Sequence, residues 1–95
     1  MKRIKYEWLP TDPGAPNTLK IVSEESNLEI AQLVLEKYYS KKTWCFRPTA
    51  FTDTIIEEHL GERWREATFH GFSRVQKFKQ WVEDTIVKKE MLHYQ

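Results

Sequence analysis

One cysteine, three glycines and three histidines are all that 95 residues supply of these types, and each scarcity excludes something. Cys45 cannot form an intrachain disulfide, which points to a reducing compartment. No Cys or His pair has zinc-finger spacing. Glu58-His59 also lacks the second histidine, four residues from the first, that a metalloprotease helix needs. No metal and no cofactor are therefore expected. Gly14, Gly61 and Gly71 lie far apart, so there is neither a phosphate-cradling loop nor a Gly-x-Ser-x-Gly elbow. No apolar run reaches the ~18 residues of a membrane span. The stretch from Met1 to Glu7 lacks an apolar signal core. A cytoplasmic protein with no membrane partner is expected.

Excess charge is missing too. Lys and Arg number 15, Asp and Glu 14, and the formal net charge is +1, so a globally basic nucleic-acid binder is not indicated. Charge is segregated locally instead. Glu24, Glu25 and Glu29 form one acidic stretch, and Asp53, Glu57, Glu58 and Glu62 another. Lys37 to Arg47 is basic, as is Arg74 to Lys79. Solvated helix faces explain such blocks, and so does a two-signed surface matched to a partner.

A chain of this length makes one domain, 1–95, with a thin stability margin. Its apolar share is 40%, enough for a core but not for a deep catalytic cavity as well. Five Phe, four Tyr and four Trp each remove roughly 150–250 Å² from water when buried. A few of these rings supply much of a core and leave others for an interface.

The order of segments reads ββαβ(α)βα. Lys2 to Leu9 alternates, with Ile4, Tyr6 and Trp8 facing one way, as a half-buried strand does. Residues 10–17 are dense in turn formers, and Thr18 to Ser23 is a second strand with Leu19 and Ile21 inward. Ser26-Asn27-Leu28-Glu29 fits a capping box. Leu28, Ala31, Val34, Leu35, Tyr38 and Tyr39 follow at helical spacing, so a helix to about Ser40 is expected. Thr43 to Arg47 is a short strand that Pro48 stops or places at a sheet edge. Thr54-Ile55-Ile56-Glu57 opens a short helix closed by Gly61, with a strand as the alternative. Arg63 to Phe69 has β character, although Trp64 and Phe69 fall on opposite parities, which a bulge or a strand buried on both faces would reconcile. Ser73-Arg74-Val75-Gln76 caps a long final helix carrying Val75, Phe78, Trp81, Val82, Thr85 and Ile86 on one face. The expected fold class is α+β, with a small antiparallel sheet of about four strands and two main helices packed on one of its faces.

Catalytic readings are thin. Cys45 with His70 is arithmetically a nucleophile and base, but a cysteine between Trp44 and Phe46 is more simply a small buried hydrophobe. His59 completes the least implausible catalytic set. Glu57 and Glu58 diverge by about 100° on a helix and would not face one substrate. No enzyme and no small-molecule substrate are indicated.

The densest hint lies between Glu36 and Asp53, where no acidic residue occurs and Lys37, Lys41, Lys42 and Arg47 alternate with aromatic rings. Cations beside aromatic faces suit an acidic protein surface, or phosphates and bases. Tyr39, Lys41, Lys42, Trp44 and Arg47, with Arg74 and Lys77 as a second patch, are the expected partner-binding residues. Lys at a helix C-terminus and aromatics in a core stripe are the plainer account. The first expectation is a small non-enzymatic module that binds another protein or a second copy of itself. Inhibitors and adaptors of phages and other mobile elements commonly have this size and makeup. The alternative is an RNA- or single-stranded-DNA-binding domain using the same positions.

Overall fold

A computed structural model describes residues 2–9, 17–38 and 41–93, except for the side chains of residue 38 and of residues 86–93. Four strands come first: β1 Ile4–Trp8, β2 Thr18–Ser23, β3 Glu29–Tyr38 and β4 Lys41–Pro48. Three helices follow: α1 Asp53–Leu60, α2 Trp64–His70 and α3 Val75–His93. The strands form one antiparallel sheet in the order β1-β2-β3-β4. The α+β class stands as the sequence implies, with about four antiparallel strands and helices packed against the sheet.

Two segments differ in type from expectation, so the observed order is ββββααα. Residues 29–38 form a strand and not a helix. The helical stripe through Leu28, Val34 and Tyr38 would have left Ile30 and Leu33 outside it. In the sheet both are sealed, at 0% exposure, while Leu28 is exposed. A central strand with ladders on both sides outweighs the local helical spacing. Ser26 caps no helix. Its Oγ accepts from the Leu28 N–H at 3.4 Å, within a turn where Asn27 takes the left-handed φ of 62° and the Asn27 N–H donates to the Ser23 carbonyl. Ile21 pairs with Ala31 and Val22 with Glu29, so Ile30 is an extra, bulged residue that joins Ala31 in the core.

The second exchange is at Trp64–His70, a helix where a strand is expected. Opposite parity of Trp64 and Phe69 needs a bulge or two buried faces in a strand but needs nothing in a helix. Trp64 and Ala67, three residues apart, share the buried face, and Phe69 points to solvent at 84% exposure. Helix α1 matches its expected span, although Thr52, not Thr54, is its cap and accepts from the Ile55 N–H. Gly61 closes it at φ 89°, with its N–H donating to Glu57.

Register aligns the core. Tyr6 lies opposite Ile21 and Ile21 opposite Ala31; Trp8, Leu19, Leu33 and Phe46 form the next row across all four strands. These residues face the helices, whose Ile56, Leu60, Trp64, Ala67, Phe78 and Val82 complete a single cluster. Phe78 is its centre. It is fully buried and meets the rings of Tyr6, Phe46, Phe72 and Trp81 at 5.3–6.4 Å. Edge strand β4 is tied down at Trp44, whose N–H and carbonyl both bond Phe72 at 2.8 Å. Pro48 ends this strand at the sheet edge, as the sequence allows. Gly71 makes the approach possible. Its φ is 60°, and a Cβ there would lie 2.6 Å from Thr43 Cγ2.

Candidate interaction face

Alternation along β3 and β4 decides which side chains share a face. Leu33 and Leu35, and Phe46 and Trp44, point toward the helices, so Lys37 and Lys42 continue that face past the end of the core. Leu33 and Phe46 are buried, Leu35 and Trp44 half-buried, and Lys37 and Lys42 exposed. The helical layer runs out along this row. Lys37 and Lys42 are register partners, which places two ammonium-bearing stems directly opposite one another.

Trp8 meets this row from the far side. Its ring lies 5.8 Å from that of Trp44, edge to face at 65°, and it remains 49% exposed. The Trp44 backbone bond to Phe72 is antiparallel. The chain leaving Phe72 therefore heads toward the Lys42 end of β4, and exposed Arg74 lies two residues along it. The bridge thus brings the chain to β4 two residues before Arg74, which lies in the bend that opens α3. Lys77 follows in the first turn of α3 and is also exposed. Lys41, the neighbour of Lys42 in a strand, faces the opposite side and is exposed. Among the described residues none of Lys37, Lys41, Lys42, Arg74 and Lys77 has a carboxylate within ion-pair distance. Tyr39 lies outside the described residues.

Arg47 belongs elsewhere. Three residues from Trp44, it lies on the sheet face turned away from the helices and pairs with Glu36. The structure does not bring it to Lys42. The acidic stretch of α1 is similarly occupied. Arg65 pairs with Asp53 and lies 3.8 Å from Glu57, and Lys2 lies 3.3 Å from Glu58.

The Arg47 side of β4 carries a wide hollow of about 470 Å³ between the strand and the end of α2. Thr43, Cys45, Arg47, Thr68 and His70 are among its lining residues. Cys45 is half-buried, and its thiol approaches the Thr43 carbonyl at 3.8 Å. No hydrogen bond joins it to His70. No hydrogen bond joins His59 to either of them among the described residues. It is buried in α1, where Nδ1 donates to the Ile55 carbonyl at 2.7 Å. Among the described residues no three His, Cys, Asp or Glu side chains converge as metal ligands would, and no helix is long and apolar enough to cross a membrane.

Two contributors escaped the sequence reading. Trp8 reads simply as the inward residue of a strand, and Lys37 belongs to the basic stretch without being among the expected partner-binding residues. Strand alternation over 33–37 and 42–46 is the signal that would have aligned Lys37 with Lys42. No family model, curated protein or solved structure matches this chain.

Proposed function

We propose that the domain is a non-enzymatic binding module that engages an acidic surface of another protein through Trp8, Trp44, Lys37, Lys42 and Arg74. One observation carries the reading: among the described residues Lys37 and Lys42 oppose each other with no carboxylate within ion-pair distance, beside a half-exposed indole pair. Like charges in register weaken a sheet, and an anionic partner relieves that repulsion. Trp and Arg are the residue types that anchor interfaces most often. The arrangement needs no reactive group and no enclosed cavity. It suits an inhibitor or adaptor working in a reducing cytoplasm.

The exposed ring of Trp8 favours a second reading, in which bases of single-stranded RNA or DNA stack there and the lysines meet phosphates. One experiment separates the two. A labelled acidic peptide and a labelled oligothymidylate are titrated at low and moderate salt, with wild type and Lys37→Glu/Lys42→Glu. Protein binding predicts peptide affinity that the double variant loses. Nucleic-acid binding predicts oligonucleotide affinity falling steeply with salt. Failure of both ligands to bind wild type at low salt refutes the face.

A further inference from the structure

We infer that the free edge of β1 is a self-pairing surface: two copies of the chain join β1 to β1 antiparallel about a two-fold axis at Tyr6, making one continuous sheet. This goes beyond the partner-binding reading and does not depend on it.

The phase of the β1–β2 ladder exposes the right groups. The Leu9 N–H donates to Thr18 and the Glu24 N–H to Arg3. In an antiparallel pair, bonded positions alternate. Arg3, Lys5, Glu7 and Leu9 therefore turn their backbone groups toward β2, while Ile4, Tyr6 and Trp8 turn theirs outward. The Lys2 N–H obeys the same phase, pointing outward to donate to the Glu58 carbonyl at 2.9 Å. The unpaired edge thus starts after Lys2 and stops before Pro10, which has no N–H to give. It is symmetric about Tyr6. The other edge of the sheet is managed by the Phe72 bridge and Pro48, as protected edges are. No described residue covers the β1 edge in this way.

The side chains are self-complementary in that register. With Tyr6 opposite Tyr6 of the second copy, Ile4 meets Trp8 and Lys5 meets Glu7, each twice. The pairs at Tyr6 and at Ile4 with Trp8 are hydrogen-bonded ones, in which both residues exchange N–H···O bonds. Lys5 and Glu7 fall at the non-bonded positions, where side chains stand closest. In the single chain they lie 3.5 Å apart, both substantially exposed on the face away from the helices. Ile4 of the second copy would stand beside the half-exposed Trp8 ring on the helix side. An isologous contact must match itself in this way. A shift of two residues in register would set Lys5 opposite Lys5 or Glu7 opposite Glu7.

Charge reversal tests the register directly. Sedimentation equilibrium is run to about 1 mM, the weak end of specific association, on wild type, Lys5→Glu, Glu7→Lys, the double variant and an equimolar mixture of the two single variants. We expect a concentration-dependent dimer for wild type and about tenfold or more weaker self-association for each single variant, since two like-charge pairs replace two attractive ones. The double variant regains self-association. The mixture forms a heterodimer, because one chain then carries two acids and the other two bases. A wild type that stays monomeric throughout overturns the proposal. So do single variants that dimerise like wild type, or a mixture and a double variant that both stay monomeric.

Discussion

Replacing Lys42 by Glu should make the domain more stable and a poorer binder. The opposing lysines put two positive charges on neighbouring strands, with Cβ atoms about 5 Å apart and ammonium groups that splay to roughly 7 Å. In water the repulsion at that separation is about 0.6 kcal/mol. Screening leaves about 0.5 kcal/mol at 0.01 M salt and about 0.25 kcal/mol at 0.15 M, taking Debye lengths of ~30 and ~8 Å. Lys42→Glu turns the repulsion into an attraction of similar size, so the gain is about twice each figure. For a domain of this size, ~1 kcal/mol moves the melting midpoint by about 4–8 °C. Thermal unfolding followed by circular dichroism should show a rise of about that size at 0.01 M salt, falling to about half at 0.15 M. Lys42→Ala should give about half the gain of the reversal. Lys5→Glu, which breaks a favourable pair instead, should gain nothing. A Lys42→Glu variant that is less stable than wild type at low salt would refute the reasoning. It would mean that Lys42 already has an attractive partner within the chain, and the contact face would lose its main support.

Phe78→Ala should cost about 3–5 kcal/mol, as a buried ring at the centre of the core does. Against a total of roughly 5–14 kcal/mol for such a chain, urea unfolding should shift drastically; a loss under about 1.5 kcal/mol would contradict its central place. Gly71→Ala should lose about 2–3 kcal/mol, because its φ of 60° strains a residue with a side chain and the new Cβ meets Thr43. The same assay checks it, and a neutral result would mean that the Phe72–Trp44 bridge is not held as described. Tyr6 is held protonated by burial first and by the nearby Glu83 carboxylate second, its phenol pushed up from 10.0 to about 12. The unfolded chain therefore releases this proton more readily than the folded one. The resulting stability is complete below pH 10 and is lost as pH rises toward 12. Tyr6→Phe should flatten that part of the stability profile, and an unchanged slope would assign the loss to other groups.

Sequence patterning showed the class of fold but not the type of every segment, and the misses have physical causes. Leu28, Ala31, Val34, Leu35 and Tyr38 fit a helix stripe, while Ile30, Ala31, Leu33, Val34 and Leu35 fit a two-sided strand. Hydrogen bonding on both flanks, which no local window contains, decides between them. Opposite parity at Trp64 and Phe69 was a usable warning, since a helix explains it without a bulge. Where period and partner agreed, at Ile4–Trp8, Thr18–Ser23 and Asp53–Leu60, the expected elements are the observed ones.

The same distinction governs the interaction face. Composition marked the basic and aromatic stretch, but only pairing tells which of its members stand together. Lys37 and Lys42 are opposite because β3 and β4 form a hairpin, and Arg47 is excluded because it differs from Trp44 in parity along one strand. Had residues 28–40 been helical, Lys37 and Lys42 would not share a register, and their repulsion would have no fixed geometry. The arrangement places the charges where the apolar row Leu33, Leu35 gives out, just beyond the last helix-covered ring. A core boundary of this kind leaves an indole half wet and lets lysine stems lie along apolar surface while their charged ends stay in solvent. A surface with that makeup can desolvate rings and neutralise cations in a single contact, without rearranging the strands that hold it.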